Sequence, residues 1–207
     1  DLKRLSQIAK KHKALFLVDG IQAAGAVPID VEADGIDILS SAGFKWLLGL
    51  PGTGFLYINK DAQNKIKPLL PGMFAAENSF TQLKFYDDAR RFETGTIPYS
   101  LFHAWTAGLD LLEEIGIENI HKRVLYLTDL LIEGLKEKGY ELLTPTEKEE
   151  ERSAILVFSL GSRQKNKELY KSLLAKNIII TYRGDSLRVS PSFYNTEADI
   201  ETFLQAI

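Results

Sequence analysis

Two short apolar runs constrain the fold of this chain more than any other feature: residues 14–18, which end at Asp19-Gly20, and residues 36–39. Short apolar runs bounded by turn residues suit strands covered on both faces. Ahead of the first run, Leu2, Leu5, Ile8 and Ala9 recur at helical spacing behind Asp1, a candidate N-cap. Lys10, Lys11 and Lys13 suit the negative end of that helix's dipole. Helix, buried strand, connection and buried strand predict an α/β fold with a mostly parallel sheet.

Farther along, Gly49, Gly52 and Gly54 with Pro51 mark a turn, and residues 55–58 read as another strand. The pattern weakens over 60–91, where Pro68, Pro71 and Gly72 predict a long loop, and its part from 67 to 86 is expected to line a pocket. Residues 100–115 and 117–138 read as two long helices, broken at Gly116 and closed at Gly139. A polar stretch at 144–152 reads as a solvated loop. It precedes a strand at 154–160, a helix at 166–176, strands at 178–182 and 186–190, and a last helix behind Thr196. Thr-Glu-Ala-Asp there is a capping-box variant with Asp199 at the third helical position. The expected organisation is one α/β domain at 1–98 and a small α/β domain at 99–207. Two or three strands before residue 60 are few for a doubly covered parallel sheet, whose edges would be left exposed. The chain is therefore expected to be the later part of a longer protein.

Composition narrows the classes of function. A hydrophobic content of 45% can fill a substantial core, which argues against disorder. The net charge of -3 gives no field favouring nucleic acid or an anionic membrane, and no apolar run reaches the length of a membrane span. A cytoplasmic protein is expected. The absence of cysteine excludes disulfides, thiolate metal sites and a cysteine nucleophile within these residues. His12, His103 and His121 lie too far apart to form a metal-binding spacing. The glycines at 49, 52 and 54 match neither the dinucleotide nor the Walker pattern, and a strand follows them instead of a helix.

The chemistry is concentrated between residues 16 and 57. Lys45 stands in Ser-Ala-Gly-Phe-Lys-Trp, downstream of Asp19 and Gln22 in Val-Asp-Gly-Ile-Gln. A lysine amine can condense with an aldehyde, and the carbanion chemistry that follows needs an electron sink such as the ring of pyridoxal phosphate (PLP). A carboxylate facing the ring nitrogen keeps it protonated by favouring the charged form. The carboxyl end of a strand, where Asp19 stands, is where open α/β sheets bind ligands. Gln22 can donate to the ring's phenolic oxygen. Taken singly, Asp19-Gly20 reads more readily as a plain turn, and Lys45 as a solvated loop lysine.

Together these segments resemble the class V aminotransferase branch of the fold-type I PLP enzymes, which includes cysteine desulfurases, selenocysteine lyases, isopenicillin N epimerase-like proteins and kynureninases. Residues 18–25 (VDGIQAAG) are similar to the family's Asp-x-x-Gln segment, and 43–57 (GFKWLLGLPGTGFLY) to its lysine segment. The resemblance implies an incomplete PLP-transferase large domain followed by a small C-terminal domain. It makes Lys45 the Schiff-base lysine and proton shuttle, Asp19 the partner of the pyridine nitrogen and Gln22 that of the phenolic oxygen. Residues 91–96 (RFETGT) resemble a segment whose threonine reaches the cofactor phosphate of the other subunit, so Thr96 implies a homodimer with shared active sites. Residues 187–196 (LRVSPSFYNT) resemble the segment whose arginine clamps the substrate carboxylate, which makes Arg188 that residue. Without the resemblance, Arg188 reads as a surface arginine on a strand.

Two departures accompany the resemblance. Where many relatives carry a hydroxyl residue and a histidine near the phosphate, Ala42 and Phe44 stand here, and Ser41 becomes the candidate phosphate contact, in competition with a local backbone bond. The family's phosphate-binding loop and ring-stacking aromatic precede the segment where this chain starts, so these residues alone are expected to bind PLP weakly or not at all. Desulfurases need a cysteine on a small-domain loop before the substrate arginine, where this chain has the short Tyr182-Arg183-Gly184-Asp185. The expected activity is a PLP-dependent transformation of an amino acid, foremost transamination. Epimerisation, a lyase reaction, or a non-catalytic dimerisation module of the same fold are the alternatives. Arg183 is a second candidate for an anionic contact.

Overall fold

In the computed structural model, residues 1–77 and 84–207 are described. They form two compact units, Asp1–Glu114 and Ile115–Ile207. Helix α1 (Leu2–Lys11) opens the first, with the Asp1 carboxylate accepting from Arg4 N at 2.9 Å. Its small Ser6 is buried, while Leu5 and Ile8 are each 51% exposed. Helical spacing thus located the helix but not the side that packs.

Strands β1 (Leu17–Asp19), β2 (Ile38–Ala42) and β3 (Gly54–Ile58) form one sheet in that order. β1 and β2 run parallel with Asp19 opposite Ser40, and β2 and β3 run antiparallel with Ala42 opposite Gly54. The first two strands start later than expected. Lys13 has a φ of 55° and Ala14 N donates to Ala9 O at 2.9 Å, so the start of the first apolar run belongs to the helix exit. The expectation of burial on both faces holds best for the central β2. Leu17 on β1 is 59% exposed, and Phe55 and Leu56 on β3 are exposed as well, because an edge strand has a neighbour on one side only.

Asp37, inside the second apolar run, fastens this sheet. Its carboxylate accepts from Phe16 N and from Asn59 Nδ2, each at 2.8 Å, and Asn59 in turn caps α2 (Lys60–Lys65) by accepting from Ala62 N. Behind the sheet, Ile38, Ile58 and Ala62 pack together with Ile66, Ala89 and Phe92. The stretch expected to be a long loop therefore starts with a short helix. It continues with the paired strands β4 (Ala76–Glu77) and β5 (Lys84–Phe85) and a 3-10 turn at Ala89–Phe92. Part of the segment expected to line a pocket, residues 78–83, lies outside the described residues.

Helix α3 (Tyr99–Ile115) closes the first unit, and Gly116, at a φ of 84°, separates it from α4 (Ile117–Glu137). The second unit continues with β6 (Glu141–Leu142), β7 (Leu156–Ser159), α5 (Arg163–Ala175), β8 (Thr181–Arg183), β9 (Ser186–Val189) and α6 (Glu197–Ala206). Its sheet has the order β6-β7-β9-β8 and is antiparallel throughout. The inner faces of α4, β7, β9 and α6 meet at Leu127, Leu131, Leu156, Phe158, Leu187 and Phe203. As the sequence predicted, Thr196 and Asp199 form a capping box at the start of α6. No helix among the described residues is long and apolar enough to cross a membrane.

Arg123 of α4 grips the start of α6, with Nη1 2.5 Å from Glu197 Oε1 and Nη2 donating to Asn195 O at 2.9 Å. The guanidinium holds the Glu197 carboxyl from its ordinary 4.5 down to about 2. A folded value below the unfolded one means that this contribution is complete above pH 4.5 and is lost as the pH falls towards 2. The stability difference between the wild type and Arg123→Ala, measured by urea unfolding, is expected to shrink across that window. A difference independent of pH there would contradict the assignment.

Candidate active site

The parallel pairing of β1 and β2 puts their carboxyl ends on one edge of the first unit's sheet, and the expected site residues Asp19, Gln22, Ser41 and Lys45 all follow or occupy those ends. Asp19 is the last residue of β1; its carboxylate is exposed, and Oδ1 accepts from Ile21 N at 3.1 Å. The chain then winds through a helical turn, with Ala24 N donating to Gly20 O at 2.8 Å, which carries the half-buried Gln22. A depression of about 560 Å³ opens here, lined by Asp19, Ile21, Ser41, Phe44, Thr53 and Phe55 among others. Gln22 and Lys45 are outside its lining.

Lys45 is half-buried in a loop that leaves β2 and closes on itself. Gly49 N donates to Gly43 O at 2.8 Å, Leu48 N to Lys45 O at 3.1 Å, and Gly43 N to Thr53 O at 2.9 Å. The turn carrying Gln22 is seated directly on this loop: a Cβ at Gly25, whose φ is 93°, would stand 2.6 Å from Trp46 O. Glycine is required there because the two backbones touch. The segments bearing the amide and the amine are thereby fixed to one another.

Ser41 is buried, and its hydroxyl donates to Ala42 O at 3.2 Å, the local bond that competes with a phosphate contact. Thr96 is exposed in the connection before α3. Arg188 belongs to the second unit, in the middle of β9 between Val157 and Thr181. Its Nη2 donates to Thr181 Oγ1 at 3.3 Å, and its buried Nε has no partner among the described residues. A buried guanidinium nitrogen without a partner is suited to an incoming anion.

The turn before Arg188 is the tightest that a hairpin permits. Arg183 pairs with Ser186, and Gly184 and Asp185 between them have φ values of 58° and 65°, the two-residue arrangement of a type I′ turn. Tyr182 Oη donates to Asp185 Oδ1 at 2.9 Å, and the buried Asn166 of α5 donates to Asp185 O at 2.7 Å. Arg183 is exposed beside this turn.

The model of the class V aminotransferases matches residues 1–203. An uncharacterized aminotransferase, YcbU of Bacillus subtilis, is 31% identical over 100% of this chain and 54% of its own length. A probable cysteine desulfurase of Methanothermobacter thermautotrophicus is 29% identical over 97% of this chain and 54% of its own. Among solved structures, the apo cysteine desulfurase from Thermococcus onnurineus NA1 superposes with a TM-score of 0.88 at 26% identity, covering 99% of this chain and 54% of that one. The chain spans about half the length of these relatives. Sequence segments, sheet edge and family model agree, and the chain belongs to the class V aminotransferase family.

Proposed function

We propose that the protein transforms an amino acid with the help of PLP, by transamination, and that Asp19, Gln22 and Lys45 are its cofactor residues. The donor set fits the group: an exposed carboxylate, an amide and an amine stand at one sheet edge beside an open depression. When bound, PLP supplies an aldehyde for amines and a ring that accepts an electron pair. Asp19, whose Oδ1 accepts from Ile21 N, would keep the ring nitrogen protonated by favouring its charged form. Gln22 donates to the phenolic oxygen. Lys45 Nζ would take the substrate's α-proton, and returning it elsewhere than at the α-carbon would distinguish transamination from epimerisation. Arg188 would bind the substrate carboxylate, Thr96 would reach the phosphate of a second copy in a homodimer, and Ser41 would contribute to the phosphate site on giving up its bond to Ala42 O.

The observation that carries transamination over sulfur transfer is the two-residue turn at Gly184-Asp185. It leaves no loop to deliver a nucleophile ahead of Arg188, and these residues contain no cysteine. The relative named as an aminotransferase supports the same reading. The experiment is single turnover of the PLP-loaded protein with individual amino acids and no acceptor. Release of about one equivalent of 2-oxo acid per site supports transamination. Continuous release, or inversion at the α-carbon alone, overturns it. Borohydride reduction followed by peptide mass analysis locates the cofactor lysine, and a label anywhere but Lys45 would contradict the site.

A further inference from the structure

Trp105 lies within the helix that the sequence predicts at residues 100–115. In the structure Trp105 of α3 is buried, and its indole Nε1 donates to Leu47 O at 2.8 Å, the carbonyl two residues beyond Lys45. The ring is seated against the closed base of the lysine loop: a Cβ on Gly49 would stand 2.8 Å from Trp105 Cδ1. Thr53, also buried, meets the same point, 2.7 Å from that Cβ, with Oγ1 donating to Leu50 O at 2.7 Å. The loop needs such holding because Leu48 sits at a φ of 56°, a left-handed conformation that a bulky residue adopts only when its surroundings over-determine it.

We propose that Trp105 is a positioning residue for Lys45. Its indole N–H pins the Leu47 carbonyl, which fixes where the loop presents the lysine amine. The role of Lys45 itself rests on the function proposed above. The effect of Trp105 on the loop stands apart from it and can be measured without cofactor.

The test is Trp105→Phe, which keeps an aromatic ring against Phe102, now at 5.7 Å between centroids, and removes only the donor. Leu47 O then loses its partner. Amide exchange at Leu48 and Gly49 is expected to accelerate roughly tenfold. Reductive methylation by formaldehyde and cyanoborohydride is expected to change at Lys45 by a similar factor relative to Lys67 in the same molecule. If the function proposed above also holds, kcat falls with KM little changed, because Trp105 acts through the loop that carries Lys45, and borohydride trapping of PLP at Lys45 slows. Unchanged loop exchange, an unchanged methylation ratio, or equal acceleration of amides throughout β1 and β2 would overturn the assignment, since general loosening moves them all together. Failure of the wild type to trap PLP at Lys45 would sink the proposed function, while the methylation ratio still decides on Trp105. Should Trp105→Phe not fold, the wild-type indole N–H gives the answer, with Trp46→Phe used to assign its signal. Slow exchange in step with Leu48 supports the pin, and fast exchange overturns it.

Discussion

Lys45→Ala is expected to lower the turnover of an amino acid by roughly a thousandfold, the size of effect attached to a general acid–base group that also holds the cofactor. The measurement is single-turnover 2-oxo acid release with PLP in excess, so that weakened binding cannot imitate lost chemistry. Structure predicts that the variant folds normally. Lys45 is half-buried, none of the observed loop bonds uses its side chain, and its carbonyl goes on accepting from Leu48 N. Added methylamine should restore part of the rate, because a free amine can carry the proton. A variant within tenfold of the wild type would remove Lys45 from the mechanism.

The largest expected effect on stability lies in the second unit. Phe158 of β7 is 0% exposed, with ring centroids 5.7 Å from Tyr140 and 6.2 Å from Phe203. Phe158→Ala removes the ring from water-free packing, leaves a cavity bounded by two aromatic neighbours, and is expected to cost about 3–5 kcal/mol. That is a large share of the stability of an ordinary domain. Urea unfolding followed by near-ultraviolet circular dichroism checks it, and a loss below about 1 kcal/mol would mean that the site collapses around the smaller residue.

Features that depend on neighbours in sequence were legible before the structure. Asp1 as a helix cap, the Thr196–Asp199 capping box and the break at Gly116 each rest on contacts within a few residues, so residue type and spacing define them. The short turn before Arg188 belongs with these, although its I′ geometry came from φ values. Strand limits were less legible. Apolar character does not show where a chain leaves the exit of a helix, and Ala14 remains bonded to Ala9. Helix α2 escaped notice because its six residues give too few turns for a periodic signal. Asp37 sits inside a run that reads as apolar and is the tie between three elements, a role set by Phe16 and Asn59 on separate segments.

By itself the sequence determined the kinds of chemistry available: one amine, one carboxylate and one amide in a fixed order, with an arginine far downstream and no thiol among these residues. Residue type settles which protons can be held and which nucleophiles exist. Tertiary structure decided how the lysine is presented. Parallel pairing put Asp19 and the exit of β2 on one edge, Gly25 seated the turn bearing Gln22 on Trp46, and Trp105, 58 residues beyond Leu47, pinned the loop from the other side. No local pattern encodes a hydrogen bond across such a separation, because it exists only once the helix and the sheet have packed.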